Sequence, residues 1–122
     1  MQITVQRSKI AGSVVAPASK SYAQRALAGA LLAKGMTTIY NPSRSDDAIA
    51  AMEIIRQLGA FVDDLGDRLV IKGGFNPQGQ RLDCREAGLS LRMFSPIAAL
   101  ASNTMLMNGS GSLLKRPVQM IV

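Results

Sequence analysis

Three side chains with hydrogen-bond donors lie close together where a helix is predicted to begin. They are Lys20, Ser21 and Arg25, in the segment PASKSYAQR at residues 17–25. Ser21 and Arg25 are four residues apart and would share one helix face, with Lys20 directly before them. The unpaired amide groups at a helix N-terminus also attract anions. We therefore predict that this segment binds a phosphate or carboxylate group.

The same residues also fit an ordinary helix end. Lys20 and Arg25 would then be solvated charges, and Ser21 would form a capping box with Gln24 three residues later. Positive charge in a first turn opposes the helix dipole at a cost of a few tenths of a kcal/mol, roughly, and such local inconsistency often accompanies function. Spacing alone leaves both interpretations open.

Other reactive residue types offer little chemistry. Asp46 and Asp47 are adjacent in a predicted helix, so their side chains point in different directions, and both suit its N-terminal dipole. We interpret them as structural. Cys84 is the single cysteine and there is no histidine, so we expect a packed or spectator thiol. The single cysteine and the absence of histidine exclude a cysteine-rich zinc site and remove the commonest metal ligand.

Composition favours one globular domain with a small anionic ligand. The chain has 122 residues, of which 48% are hydrophobic and 18% charged. Its apolar runs, such as Ile97 to Ala101, are far shorter than the roughly 20 residues that cross a bilayer. The net charge of +6 attracts anions, but the cations are scattered and aromatics make up 4%. We expect no membrane anchor and no nucleic-acid partner.

The elements that must position these residues alternate between strands and helices. Two short strands are predicted within 1–16, and further strands at 37–40, 60–62, 69–71, 81–84 and 104–107. Helices are predicted at 21–34, 45–58 and about 89–101, with a fourth from Pro117 to residue 122. A turn is predicted at 108–112. The hairpin within 60–71 interrupts a simple βαβ series, which indicates an α+β fold with mixed sheets and helices on one face.

A diverged internal repeat is also indicated. A shift of 67 residues superimposes Arg25 on Arg92, and it aligns Thr37 with Thr104. The same shift places Asn41 on Asn108. Each pair falls in the same predicted helix, strand or turn.

The motif Pro-x-Ser-Lys-Ser followed by arginine, at residues 17–25, resembles the N-terminal signature of the 5-enolpyruvylshikimate-3-phosphate synthases. The resemblance continues in order at Gly35, Thr37, Thr38, Asn41, Ser45, Asp46, Asp47, Leu58, Gly59, Ala60, Gly88, Arg92, Arg116 and Pro117. Two positions depart from the family pattern. Leu89 replaces a usual threonine, and Ser112 stands where the family often has an arginine that grips phosphoenolpyruvate.

The resemblance implies a function and a set of ligands. The family transfers the enolpyruvyl group of phosphoenolpyruvate to shikimate 3-phosphate, in aromatic amino acid biosynthesis, without a metal or organic cofactor. By this resemblance Lys20 would contact both substrates, Ser21 and Arg25 would anchor shikimate 3-phosphate, and the Gly88 backbone would approach phosphoenolpyruvate. Arg92 and Arg116 are weaker candidates for the site. The family's catalytic carboxylates come from later sequence, so we expect no turnover by this chain alone.

The resemblance also implies an architecture. The family has two domains, each of three βαβαββ units, with the substrates between them. We expect residues 1–122 to be the N-terminal part and to hold about one and a half of those six units. Residues 1–16 would supply strands to the opposite domain, and 17–122 would form part of the N-terminal domain. We expect a cytoplasmic monomer.

Two other functions stay open from sequence. A sister enolpyruvyl transferase acts on UDP-N-acetylglucosamine, but it usually has asparagine after the lysine, where this chain has Ser21. A basic RNA-binding module would fit the charge of +6 but not the scattered cations and few aromatics.

Overall fold

The computed structural model describes residues 1–121, in which three helices and five strands alternate. The helices are α1 (Lys20–Leu32), α2 (Asp46–Gln57) and α3 (Gly88–Ala98). The strands are β1 (Met36–Tyr40), β2 (Phe61–Asp64), β3 (Arg68–Lys72), β4 (Arg81–Asp83) and β5 (Leu106–Asn108). The prediction of an alternating α and β chain is confirmed. No helix within residues 1–121 is both long and apolar enough to cross a membrane.

The strands form two separate sheets. β3 lies between β1 and β2 and pairs with each of them in antiparallel fashion. β4 and β5 pair in parallel, with α3 as the crossover between them. Parallel and antiparallel pairings both occur, as predicted, but in different sheets. The predicted hairpin is confirmed by the β2–β3 pair.

The helices cover one face of the three-stranded sheet. In β3, Leu69 and Ile71 are buried, whereas in β1 Met36, Thr38 and Tyr40 are exposed. The buried strand residues join one core with apolar residues of all three helices, among them Leu27, Leu31, Ile54, Ile55 and Phe94. The predicted coverage of one face by helices is therefore confirmed for this sheet.

The two strands predicted within residues 1–16 do not occur in the structure of this chain, and their pairing with the opposite domain stays a prediction. Residues 1–19 contain no strand, and their apolar side chains are exposed: Ile3, Val5, Ile10, Val14 and Val15. A strand is stabilised by the hydrogen bonds of a paired ladder and by burial of one face. The described part of the chain offers this segment neither. The alternation of apolar residues alone was not enough to form a strand in this segment.

Other boundaries also differ from the predictions. α3 ends at Ala98 and contains Pro96, and the strand that follows it begins two residues later than predicted. The turn predicted at 108–112 leads into a short 3-10 helix, Gly111–Lys115. No α-helix follows Pro117 in the described residues. A second 3-10 helix, Gln119–Ile121, occupies that segment, and residue 122 lies outside the described residues.

The α2 prediction is correct at both ends. Ser45 is the N-cap, and its hydroxyl accepts a hydrogen bond from the Ala48 amide at 3.4 Å. Gly59 follows the helix with φ +112°, a conformation that favours glycine. A Cβ at Gly59 would also lie 2.6 Å from the backbone nitrogen of Asn76. The end of α2 is thereby fixed against the loop that precedes β4.

An arginine ties the loop before α2 to the β2–β3 hairpin. Arg44 Nη2 donates to Asp64 Oδ1 at 2.8 Å, and the same guanidinium donates to the Gly66 carbonyl. The Gly66 amide in turn donates to Asp64 at 3.0 Å. The hydrogen bonds from Arg44 and Gly66 lower the pKa of Asp64 to about 2.

Acid should weaken this arginine clamp. Because the folded pKa of Asp64 lies below its ordinary value of 3.8, its contribution to stability is complete above about pH 4 and is lost as the pH falls towards 2. We expect Asp64→Asn to lower the free energy of unfolding at pH 7 by about 0.5 kcal/mol and to reduce its decline below pH 4. Urea denaturation at several pH values measures both effects. Asp63→Asn, on the neighbouring exposed position, is the control, and equal acid dependence of the two variants would contradict the prediction.

Candidate anion-binding site

The N-terminus of α1 is capped by Ser19 rather than by Ser21. Ser19 has an extended backbone, and its hydroxyl accepts a hydrogen bond from the Tyr22 amide at 3.3 Å. The helix already begins at Lys20, so Ser21 lies inside the first turn. The capping box predicted for Ser21 and Gln24 is therefore wrong, and Gln24 is fully buried.

Ser21 and Arg25 come together as predicted. Arg25 Nη1 donates to the Ser21 carbonyl at 3.1 Å, so its guanidinium lies back along the helix towards the N-terminus. Arg25 is exposed and Ser21 is half-buried, which leaves the pair accessible to a ligand. Because Ser19 is the N-cap, Ser21 does not have the capping role that the alternative interpretation proposed.

Lys20 contacts the neighbouring helix instead. Its Nζ lies 2.8 Å from Oδ2 of Asp47, in the first turn of α2. The Lys20 side chain remains 57% exposed, and exposed ion pairs contribute only about 0–1 kcal/mol. A phosphorylated ligand could therefore compete for this ammonium group. Asp47 therefore pairs with Lys20 of the candidate site. The position of Asp47 next to Asp46 in the sequence did not predict this contact.

The N-terminus of α3 repeats the geometry of α1. Arg92 Nη1 donates to the Gly88 carbonyl at 3.2 Å, four residues back, as Arg25 does to Ser21. The N-cap residue, Ala87, has no side chain that could cap the helix. The first amides of α3 thus have no side-chain cap, and the predicted correspondence of Arg25 and Arg92 holds in the structure.

Arg116 lies beside Gly88 and Arg92. A Cβ built on Gly88 would meet Arg116 Nη1 at 2.7 Å and Arg92 Nη1 at 3.1 Å. Two guanidinium groups therefore converge on a buried residue without a side chain. Their mutual repulsion favours an anion between them. From the sequence, Arg92 and Arg116 were weaker candidates for the site. The structure places both beside Gly88.

Two further contacts near these arginines were not predicted. Glu86 accepts a hydrogen bond from the Ser112 amide at 2.9 Å, and Ser112 Oγ lies 3.2 Å from Arg116 Nη2. The only sequence signal was the four-residue spacing of Ser112 and Arg116 after a Gly-Ser turn. A serine and an arginine at that spacing do not indicate that Glu86, 26 positions before Ser112, is the hydrogen-bond partner.

Both groups of cations are linked to residues that line one cavity. We call Lys20, Ser21 and Arg25 the α1 cluster, and Gly88, Arg92 and Arg116 the α3 cluster. A cavity of about 450 Å³ is lined by Asp46, Asp47, Arg85, Glu86 and Ser110. Asp47 binds Lys20 of the α1 cluster, and Glu86 is linked through Ser112 to Arg116 of the α3 cluster. Two lining residues of this cavity are thus linked to the two clusters, although Arg116 and Arg92 themselves line other cavities.

A buried hydrogen bond holds α1 against α3 near these ends. Ser90 Oγ donates to Gln24 Oε1 at 3.0 Å, and both side chains are fully buried. A buried hydrogen bond restricts how the helices slide past each other, because breaking it would leave polar groups unpaired. This hydrogen bond therefore limits the movement of α1, which carries Arg25, relative to α3, which carries Arg92.

Cys84 takes no part in this site. It is fully buried, and that burial, with the nearby charge of Asp83, raises the pKa of its thiol to about 11. The thiol is therefore protonated at neutral pH. The prediction of a packed cysteine is confirmed.

A mixed α/β domain with two cationic clusters at helix N-termini has the charge arrangement that suits an anionic ligand. The family model for EPSP synthase (3-phosphoshikimate 1-carboxyvinyltransferase) matches residues 5–122. The chain belongs to the EPSP synthase family, and the predicted resemblance is confirmed.

Relatives and solved structures agree with this assignment. The 3-phosphoshikimate 1-carboxyvinyltransferase of Methanocorpusculum labreanum is 37% identical over 98% of the chain and 29% of the relative. The 3-phosphoshikimate 1-carboxyvinyltransferase of Clostridium perfringens is 38% identical over 97% of the chain and 28% of the relative. The EPSP synthase structure from Acinetobacter baumannii has a TM-score of 0.79 and 25% identity, over 88% of this chain and 25% of that one. The chain thus spans less than a third of the length of these relatives.

The contact distances at Gly88 predict the effect of a methyl group there. Gly88→Ala should displace the Arg116 guanidinium, whose flexible end can move, while the fold persists. We expect changed side-chain Nε–Hε chemical shifts for Arg92 and Arg116 in ¹H–¹⁵N NMR spectra, with a loss of stability below about 1 kcal/mol. Gly79→Ala is the control, because a Cβ there meets nothing within 4 Å. Unchanged arginine signals in Gly88→Ala would show that the guanidinium groups do not converge there.

Proposed function

We propose that this chain supplies part of the substrate site of an enzyme that transfers the enolpyruvyl group of phosphoenolpyruvate to shikimate 3-phosphate, with release of phosphate. The observation that carries the proposal is the pair of cationic clusters at the adjacent N-termini of α1 and α3. Two substrates that each carry several negative charges need two such groups of cations. Membership of the EPSP synthase family supports the choice of substrates.

The α1 cluster is the proposed site for shikimate 3-phosphate. The Arg25 guanidinium and the Ser21 hydroxyl lie at one helix end, where amides and the helix dipole also favour negative charge. Lys20, the third member of this cluster, contacts Asp47, which lines the cavity. We propose that it releases Asp47 and contacts both substrates.

The α3 cluster is the proposed site for phosphoenolpyruvate. Gly88 has no side chain to block the approach of a ligand to the first amides of α3. Ser112 occupies the position where the family often has an arginine, and it is hydrogen-bonded to Arg116. We propose that Arg116, held by Ser112, supplies the positive charge that the missing arginine would give.

The proposed role of both clusters is to position the substrates and stabilise charge. Their effect grows when water is excluded, because charge interactions are stronger in a less polar medium. We propose no acid, base or nucleophile within this chain, and no turnover by the chain alone. We also propose that the enzyme is a cytoplasmic monomer. Ser21 and the names of the relatives favour this reaction over transfer to UDP-N-acetylglucosamine.

Titration with shikimate 3-phosphate tests the α1 site. In ¹H–¹⁵N NMR spectra we expect saturable shifts of the amides of residues 20–25, with a dissociation constant on the order of 1 mM for an open, exposed site. Lys20→Met should weaken binding about fivefold to tenfold, because a charge-assisted contact is lost. Lys34→Met removes the same charge at the far end of α1 and should leave affinity within about twofold.

Two further titrations separate the proposal from its alternatives. UDP-N-acetylglucosamine and a short single-stranded RNA should produce weaker shifts that do not concentrate at residues 20–25. Equal weakening by Lys20→Met and Lys34→Met would indicate attraction by overall charge. Tighter binding of the RNA would favour a nucleic-acid module and would overturn the proposed function.

A further inference from the structure

Glu86 makes contacts that single it out among the carboxylates around the cavity. Its Oε2 accepts the Ser112 amide at 2.9 Å, at the start of the 3-10 helix. Gly111, with φ +53°, lets the carboxylate approach, since a Cβ there would lie 2.4 Å from Glu86 Cδ. The backbone and hydroxyl of Ser112 lower the pKa of Glu86, and the charge of Arg116 adds to this. The side chain is thus ionised at neutral pH.

These contacts continue directly to the α3 cluster. Ser112, held by Glu86, places its hydroxyl 3.2 Å from Arg116 Nη2. The other nitrogen of that guanidinium, Nη1, is the one that approaches Gly88. Glu86 is therefore joined to Gly88 by a series of short contacts through Ser112 and Arg116.

The rest of the loop does not depend on Glu86. The Ser110 amide donates to the Arg85 carbonyl at 2.8 Å, and Leu113 is buried in the core. These contacts hold the backbone of the loop on α3. They do not determine the orientation of Ser112 or the location of the exposed Arg116 side chain.

We infer that Glu86 is a positioning residue for donor binding: by holding Ser112, it places Arg116 at Gly88, where phosphoenolpyruvate would bind. The inference rests on the proposed function, because it requires an anion at the α3 cluster. It assigns a favourable role to a negative charge that would otherwise repel the ligand. The hydrogen bond and the charge of Glu86 thus have opposite effects on anion binding, and variants can separate them.

Glu86→Gln and Glu86→Ala both remove the charge, but only Gln keeps an oxygen that can accept the Ser112 amide. We expect the Ala variant to bind phosphoenolpyruvate about fivefold more weakly than the Gln variant, which should match or exceed the unmodified chain. Isothermal titration calorimetry, with inorganic phosphate as a second probe, measures these affinities. Glu53→Ala, on α2 and outside the cavity lining, is the control for loss of a carboxylate.

A double-mutant cycle distinguishes positioning from a general effect on the fold. If Glu86 acts through Arg116, Glu86→Ala should cause no further loss in an Arg116→Ala background. Ser112→Ala, which keeps the amide but removes the hydroxyl that contacts Arg116, should weaken binding like Glu86→Ala and serves if that variant does not fold.

Four results would overturn the inference. Equal affinity of the Ala and Gln variants would mean that Glu86 acts only through its charge, and additive losses in the double mutant would mean that it acts independently of Arg116. If the unmodified chain binds shikimate 3-phosphate but not phosphoenolpyruvate, this role for Glu86 fails while the α1 site stands. If it binds neither, the proposed function fails as well.

Discussion

The structure depends on holding several positive side chains close together before any ligand neutralises them. Repulsion between such groups would separate them on a flexible surface. Here the helices that carry them pack on one common core, in which Leu27, Ile54 and Phe94 are buried. The buried Gln24–Ser90 hydrogen bond then sets the two cationic helix ends against each other. Packing energy, which needs no ligand, supplies the arrangement that the cations would not adopt by themselves.

Fold prediction succeeded where local signals agreed with each other. α2 combined a Ser45 cap, an apolar face and Gly59 after its end, and all three are present in the structure. The segment 1–16 offered alternation alone, and no strand formed there. Strand formation depends on a partner elsewhere in space, which alternation in one segment does not specify. The first turn of α1 was misread for a related reason, because Ser19 and Ser21 are both acceptable caps and only backbone conformation distinguishes them.

The candidate site was predictable to the extent that its residues share one element. The four-residue spacing of Ser21 and Arg25 correctly placed them together on α1. Arg92 was related to Arg25 by the repeat, yet its neighbour Arg116 comes from a loop beyond β5. Tertiary packing decides which loop residue meets a helix end, and spacing in sequence does not reveal it. The partnership of Glu86 with Ser112 was hidden for the same reason.

Carboxylates within a site for anions have a physical purpose. In the absence of ligand, Asp47 lies against Lys20, and Glu86 is linked through Ser112 to Arg116. These contacts offset charge repulsion and so reduce the cost of keeping cations in place. The Lys20–Asp47 ion pair is largely solvent-exposed and therefore weak, so a ligand with several charges can replace it at little loss, whereas the Glu86–Ser112 contact keeps Arg116 in place. The arrangement therefore favours a site whose cations are ordered before the ligand binds.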